Sequence, residues 1–332
     1  MSKTHHAMNR RRLLQLGGGA LATGLAASCG RNAQGGTTMT SPTAAVPAVA
    51  ASASRPRAIV HRTRGHRSGP ITRLMSPRDL GQILKPFVFL DLFEMSGGPG
   101  PAMDFGWHPH SGIATVTVLL DGAGRYAETT GATGILPAAA VEWMRAGGGV
   151  WHTAGIESSP VRGFQLWVAL PPELEAAPSA SRYVQPADVP VAGPARVVLG
   201  SYGGATSPID APPMTYLSVN LRDGEPFDYE PPPGHDVAFA AVMQGALRAA
   251  SRIDRGELAV FEQGPLPIHF VAEGETRFVL GSARQHPHDL VLGNYSVHTS
   301  RSALIRGEAE IRRIGETLRA EGKQSYALQQ YG

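Results

Sequence analysis

Two histidines flank a proline at His108-Pro109-His110, just ahead of an alternating apolar run, "GWHPHSGIATVTVLL" over residues 106–120. In a strand, alternate side chains share a face, about 6.5–7 Å apart. Both imidazoles therefore point the same way. Pro109 cannot donate to a sheet ladder, so it belongs at a strand start or edge. A third histidine, His152, follows in "RAGGGVWHTAG" (residues 145–155), after a run of three glycines. Two histidines on one strand and one on a neighbour make a facial set of imidazoles. Neutral imidazole suits Zn, Cu, Fe and Ni, and such a set leaves positions open for substrate or oxygen. Each ligand's second ring nitrogen is then expected to be held by an acceptor. The same parity puts Gly112, Ala114, Val116, Val118 and Leu120 on the histidine face, unless a bulge at Gly112 resets it. That face is apolar and should look into a barrel, with the histidines near its mouth, where small-molecule sites form.

Other candidates read as ordinary. A second HPH, His286-Pro287-His288, shows how little the tripeptide says alone. It falls in a segment approaching an extended run and is expected to be structural. His235 follows a proline run and Gly234, as a loop histidine. Trp107, Trp143 and Trp151 are expected to pack, although one of them could wall a pocket for a planar aromatic ligand.

The elements that must position these residues are strands. The chain has 332 residues, 42 % hydrophobic and 17 % charged, with 40 Gly and 27 Pro and no Gly-X-Y period. That composition buries a core and makes many turns, as in a β-rich fold. Residues 88–93, 113–120, 141–146 and 163–170 read as strands, punctuated by turn signals at Asp121-Gly122 and Thr130-Gly131. A short strand is expected to carry His152. After Pro171 a proline-rich connector leads to a second series at 195–200, 214–221, 237–245, 258–262, 268–272 and 277–282. The halves share length and rhythm, which suggests two barrels of one kind. A helix is expected over about 302–321, with Ile305, Ile311, Ile314 and Leu318 on one stripe.

The N-terminal segment, "NRRRLLQLGGGALATGLAASC", reads as an export signal. Arg10, Arg11 and Arg12 precede a weakly apolar stretch, in an order resembling a twin-arginine signal; a mobile basic tail is the other reading. Cys29, the one cysteine, ends this segment in a lipobox-like "LAASC". Lipidation there would tether the protein to a membrane; the alternative is ordinary cleavage nearby. With one cysteine there is no intramolecular disulfide and no Cys-ligated zinc. The formal charge is +3, from 30 basic and 27 acidic residues. Cleavage before Cys29 removes Lys3, Arg10, Arg11 and Arg12, leaving 26 basic against the same 27. The basicity belongs to the signal, so no nucleic-acid partner is expected. Residues 30–57 are rich in Ser, Thr, Ala, Gly and Pro and read as a flexible linker.

Beyond about residue 58 the sequence resembles the pirin family. The resemblance is carried by "FLDLF", "GWHPHSGIATVTVLLDG", "GATGILPAAAVEWMRAGGGVWHTAG" and the C-terminal "ARQHPHDLVLGNYSVHTSRSALIRGEAEIRRI". It implies an all-β fold of two tandem antiparallel β-barrel (cupin) domains with a short C-terminal helix. The expected division is an N-terminal metal-site cupin over 58–192 and a C-terminal cupin over 193–332. The resemblance also implies a metal, usually iron as Fe(II) and less often another divalent transition metal, held by His108, His110 and His152. The family's fourth ligand, a Glu two residues after the later His, is replaced by Ala154. A second family acid, four residues after the HxH pair, is replaced by Ala114. Glu142 and Glu157 are the nearby carboxylates that could substitute.

The function so implied is an exported, metal-binding dioxygenase of the quercetin 2,3-dioxygenase type, acting on a flavonol or related phenolic or enolic compound. The alternative is a non-catalytic exported binding module that has lost its acid. The expected location is periplasmic or membrane-anchored. No catalytic residue beyond the ligands is singled out, and nothing in the sequence fixes an oligomeric state.

Overall fold

The computed structural model describes residues 55–95 and 105–323, with 325, 327 and 329 beyond. The export signal, Cys29 and all but the last three residues of the linker lie outside this range. The first half contains β1 (Ile59–Thr63), β2 (His66–Ser68), β3 (Ile71–Met75), the single turn α1 (Gly81–Leu84), β4 (Phe87–Met95), β5 (His108–His110), β6 (Ile113–Glu128), β7 (Thr133–Pro137), β8 (Val141–Arg145), β9 (Val150–Ala169) and β10 (Ala180–Val184). The second half contains β11 (Val191–Ala192), β12 (Ala195–Leu199), β13 (Ser201–Tyr202), β14 (Ala205–Thr206), β15 (Met214–Leu221), β16 (Pro226–Tyr229), β17 (Val237–Arg248), β18 (Arg252–Ile253), β19 (Leu258–Phe261), β20 (Ile268–Ala283), β21 (Val291–Leu292), β22 (Val297–His298) and the closing helix α2 (Arg301–Ala320).

The strands make two antiparallel nine-stranded sheets, as expected of two tandem barrels. One runs β10-β8-β6-β9-β4-β3-β2, with β5 on β9 and β7 on β6. The other runs β1-β19-β17-β20-β15-β12-β11, with β16 on β20 and β18 on β17. Thus β1, first in the described chain, joins the second-half sheet through β19. The largest core cluster draws on both halves, including Phe87, Val116, Phe164, Tyr216 and Phe239. Phe87 meets Phe239 edge-on at 5.2 Å. The two sheets are therefore joined by continuous apolar packing, the dominant stabilising term in folding.

Three expectations about strands change. Asp121-Gly122 is not a turn: β6 runs on to Glu128 with register shifts between Leu119 and Ala123. The 20-residue β9 pairs along both limbs of β6, so the chain bends through bulges instead of reversing. His152 lies near the start of that long strand, not on a short one of its own. Residues 268–283 form one strand, with the irregularity taken up by β17 at Val242/Gln244 and Gln244/Ala246.

Parity also resets at Gly112. Its φ of +74° is left-handed, a conformation that favours glycine, and an added Cβ would lie 2.1 Å from the Val297 carbonyl oxygen. Past this kink Ala114, Val116, Val118 and Leu120 face the core between the sheets. They do not share the histidine face. Thr117 and Leu119 line the barrel interior instead. Ala114 is consequently a core residue and does not line the cavity beside the histidines.

The helix begins at an N-cap, Ser300, whose side chain accepts from the Ala303 amide at 3.2 Å. Its buried stripe is Ala303, Gly307, Ile311, Gly315 and Leu318. Ile311 and Leu318 belong to it and Ile314 packs at its edge, but Ile305 is 60 % exposed. At 3.6 residues per turn, Ile305 falls on the far side from Ala303 and Gly307. Small residues let the helix sit close: a Cβ on Gly307 would lie 2.5 Å from His298 Nε2 and 2.6 Å from Ser111 Oγ. Gly307→Ala is expected to destabilise the fold by about 1–3 kcal/mol through overpacking. Ile305→Ala should stay within about 0.5 kcal/mol. Urea denaturation of the two variants checks the contrast.

Candidate metal centre

The three histidines meet where the short strand β5 pairs with the start of β9. His108 lies directly opposite His152, and His110 opposite Val150. All three side chains project to one face, and one nitrogen from each lies within 4.8 Å of the others. Their ring centroids are 4.2–5.2 Å apart. Among the described residues this is the one such group of His, Cys, Asp or Glu.

The inner nitrogens are freed by what the outer ones do. His108 Nδ1 donates to the Gly106 carbonyl at 3.0 Å. His110 Nδ1 donates to the Tyr295 carbonyl at 3.1 Å. His152 Nδ1 faces the Glu142 carboxylate, with Oε1 at 3.8 Å. Carbonyl partners put the proton of His108 and His110 on Nδ1 and leave Nε2 with its lone pair. The Nε2 atoms of His110 and His152 are buried with no hydrogen-bond partner. Orphaned buried nitrogens are costly, and two of them converging on a third imidazole fit a bound divalent transition metal. Burial holds all three rings below the usual histidine range, His110 and His152 well below it, so they stay neutral and able to ligate.

A strap from the second half fixes His110. Ser111 bridges to Ser296, its hydroxyl meets His298 Nε2 at 3.0 Å, and His298 Nδ1 meets Glu175 Oε2 at 3.1 Å. Glu175 also accepts from the amide and hydroxyl of Thr299, both at 2.7 Å. This buried network pins the residues that follow Tyr295. Trp151, fully buried beside His152, donates its indole N–H to the Ile311 carbonyl of α2 at 2.6 Å.

Beside the histidines lies a cavity of about 110 Å³. Its walls are largely apolar, including Phe93, Leu119, Leu136, Ile156 and Val161, and Ala154 lines it next to His152. One row of its lining is polar. Asp91 pairs with Gln165, Gln165 with Thr117, and Thr117 with Glu142, straight across four strands. Asp91 is held by Arg73, with one contact at 3.1 Å. Burial pushes the Glu142 carboxyl up to about 7, and Glu128 nearby adds to it. Glu128 itself accepts from Thr130, Ser181 and Tyr183. Glu142 is one of the two carboxylates expected to be able to substitute for the missing ligand. The structure puts its carboxylate toward His152 Nδ1, outside the set of grouped nitrogens. Glu157 is exposed and paired with Arg125 at 3.0 Å.

The second HPH is different. His286 Nε2 donates to the Leu170 carbonyl at 3.3 Å, and its Nδ1 accepts from the His288 amide at 3.3 Å. Both nitrogens are used within the fold. His235 is half of a buried contact with Ser282 at 2.9 Å. Trp143 lies in the shared core and Trp107 at the edge of the packing under α2. In the second barrel Phe227, Tyr229, Phe261, Phe270 and Phe278 pack into one buried core cluster.

Two antiparallel barrels in tandem, with a histidine triad inside the first, define a bicupin. The chain belongs to the pirin family. The family model for pirin matches residues 70–168. A pirin-like protein of Caulobacter vibrioides is 34 % identical over 191 residues, 54 % of this chain and 68 % of that relative. A Pseudomonas aeruginosa relative with the provisional name quercetin 2,3-dioxygenase is 31 % identical over 221 residues, 61 % of this chain and 77 % of its own length. The crystal structure of a quercetin 2,3-dioxygenase from Acinetobacter baumannii superposes with a TM-score of 0.72 over 78 % of this chain and 98 % of that one, at 22 % identity. An Escherichia coli pirin crystallised with nickel(II) superposes at 0.53 over 70 % and 99 %, at 17 % identity. These last two likenesses concern the fold.

The buried histidines predict a pH dependence. His108, His110, His152, His235, His286 and His298 are all shifted down, burial being the first cause in each. The unfolded chain takes up protons near the ordinary value of about 6.5, before the folded chain does. Stability is therefore full above that value and falls as pH drops through it. Glu142 and Asp91, both shifted up by burial, act in the opposite sense, but they are two groups against six. Urea midpoints of metal-free protein are expected to fall steadily from about pH 7.5 to 5. A flat profile would contradict the neutral, buried state of these rings.

Proposed function

We propose that this chain is a metal-dependent dioxygenase, with iron as Fe(II) its working metal and a flavonol or related phenolic or enolic compound its substrate. The carrying observation is the pair of orphaned Nε2 atoms on His110 and His152, grouped with His108 beside the cavity. The provisional name of the Pseudomonas relative supports the reaction class. A divalent metal at such a site acts as a Lewis acid, lowers the pKa of a bound hydroxyl and brings oxygen beside it.

The chain's own residues supply the rest. The carbonyls of Gly106 and Tyr295 and the Glu142 carboxylate orient the three rings. The apolar walls exclude water, and the polar row at Gln165 and Thr117 offers hydrogen bonds to substrate oxygens. His108, His110 and His152 are accordingly ligands, with Glu142 a positioning residue for His152. Ala154 favours a second reading, a binding module without turnover.

The proposal extends to location. The twin-arginine-like signal would carry a folded, already loaded protein across the membrane, and Cys29 would tether it there. Protein produced with its own export signal should contain about one iron per chain, and His152→Ala should lose most of it. The measurements are elemental analysis and oxygen uptake with quercetin and catechol. Full metal with no oxygen uptake on either compound selects the binding module and rejects the enzyme. Uncleaved, cytoplasmic protein rejects the export reading.

A further inference from the structure

The histidine triad contributes three neutral donors and no negative charge. No carboxylate stands among its grouped nitrogens. Asp91, on the cavity wall, is engaged by Arg73. Glu142 lies behind His152, toward Nδ1. On the open side the next residue along β9 is Ala154, whose methyl leaves the space beside His152 to the cavity. A divalent ion held by these three neutral imidazoles would have its charge uncompensated by its protein ligands and would leave positions for further donors. An anion able to fill two positions is the complement of that state, because charge in a dry cavity is costly until paired.

The cavity sets the size. It holds about 110 Å³, somewhat less than the roughly 150 Å³ apolar cavity that takes up benzene. The enclosed part, lined by Phe93, Leu119 and Leu136, therefore takes no more than about one six-membered ring. A three-ring flavonol would leave most of itself outside, past the half-exposed Phe105 at the rim. The polar row lies within the same enclosure, so oxygens on that ring meet Gln165 and Thr117.

We infer that the preferred ligand is a compact single-ring compound with two adjacent oxygen donors, at least one ionisable, and that Ala154 sets this preference by leaving an anionic position to the ligand. This rests on the metal-site reading above and narrows its substrate class.

The test uses mature protein loaded with Co(II) in the absence of oxygen, read by calorimetry and by the visible cobalt bands. Catechol is expected to bind one per cobalt, shift those bands, and bind at least about tenfold more tightly than phenol or quercetin. Ala154→Glu should retain cobalt and lose about tenfold or more in catechol affinity. Leu136→Phe, which fills the apolar end, should lose catechol with the ligand-free cobalt bands unchanged; it serves if the first variant does not fold. The inference is overturned if quercetin binds as tightly as catechol, if catechol leaves the bands unmoved, or if a folded variant keeps the parent affinity. A parent protein that takes up no cobalt overturns the metal-site reading itself, a result distinct from all of these.

Discussion

The antiparallel pairing of His108 with His152 is the constraint on which this site depends. A three-residue strand has little hold of its own, and Pro109 removes one donor from it. Its place comes from what surrounds it. β9 supplies the register, the strap around Tyr295 supplies an acceptor for His110, and α2 packs over Trp151 from outside. A one-residue slip of β5 would turn both histidines to the other face. The Ser111–His298–Glu175 network, fully buried, resists that slip from the residue next to His110.

The two barrels share an architecture and differ in what fills them. The second is packed with phenylalanines. The first carries a row from Asp91 to Glu142 through an otherwise apolar interior. Buried polar groups destabilise unless they are satisfied, so such a row is retained at a cost in stability. Asp91 finds Arg73, and Glu128 finds three hydroxyls. The unsatisfied atoms include Nε2 of His110 and of His152. Those two nitrogens lie where a ligand would sit.

Local periodicity carried much of this into the sequence. Alternation gave the strand cores, the common face of His108 and His110, and the span of the closing helix to within a residue at each end. The missed features depend on contacts between distant segments. Tyr295 reaches His110 through a backbone carbonyl, which no side-chain pattern announces. Glu142 and His152 meet because β6 lies between β8 and β9, a matter of sheet order and not of spacing. The face of Ala114 turned on one dihedral at Gly112. A glycine there was visible, but its left-handed φ arises from the crossing of the strap at Val297. Ile305 was grouped with the buried stripe by type, although the small residues Ala303 and Gly307 define that stripe.

The placement of carboxylates bears on how three histidines could suffice. Ala154 and Glu142 both line the cavity beside His152, and the Glu142 carboxylate lies toward that ring's Nδ1. An acid at 154 would stand on the cavity side and compete for an open position. The acid at 142 lies toward Nδ1, where it can hold that nitrogen and raise the basicity of Nε2. The nearby Glu128 makes a second full charge in this buried patch unfavourable, which is part of why the Glu142 carboxyl is pushed up to about 7. A positive charge arriving on the histidine side would favour the ionised form again, by the ordinary attraction of opposite charges. Metal binding and ionisation of Glu142 are therefore coupled in the same direction.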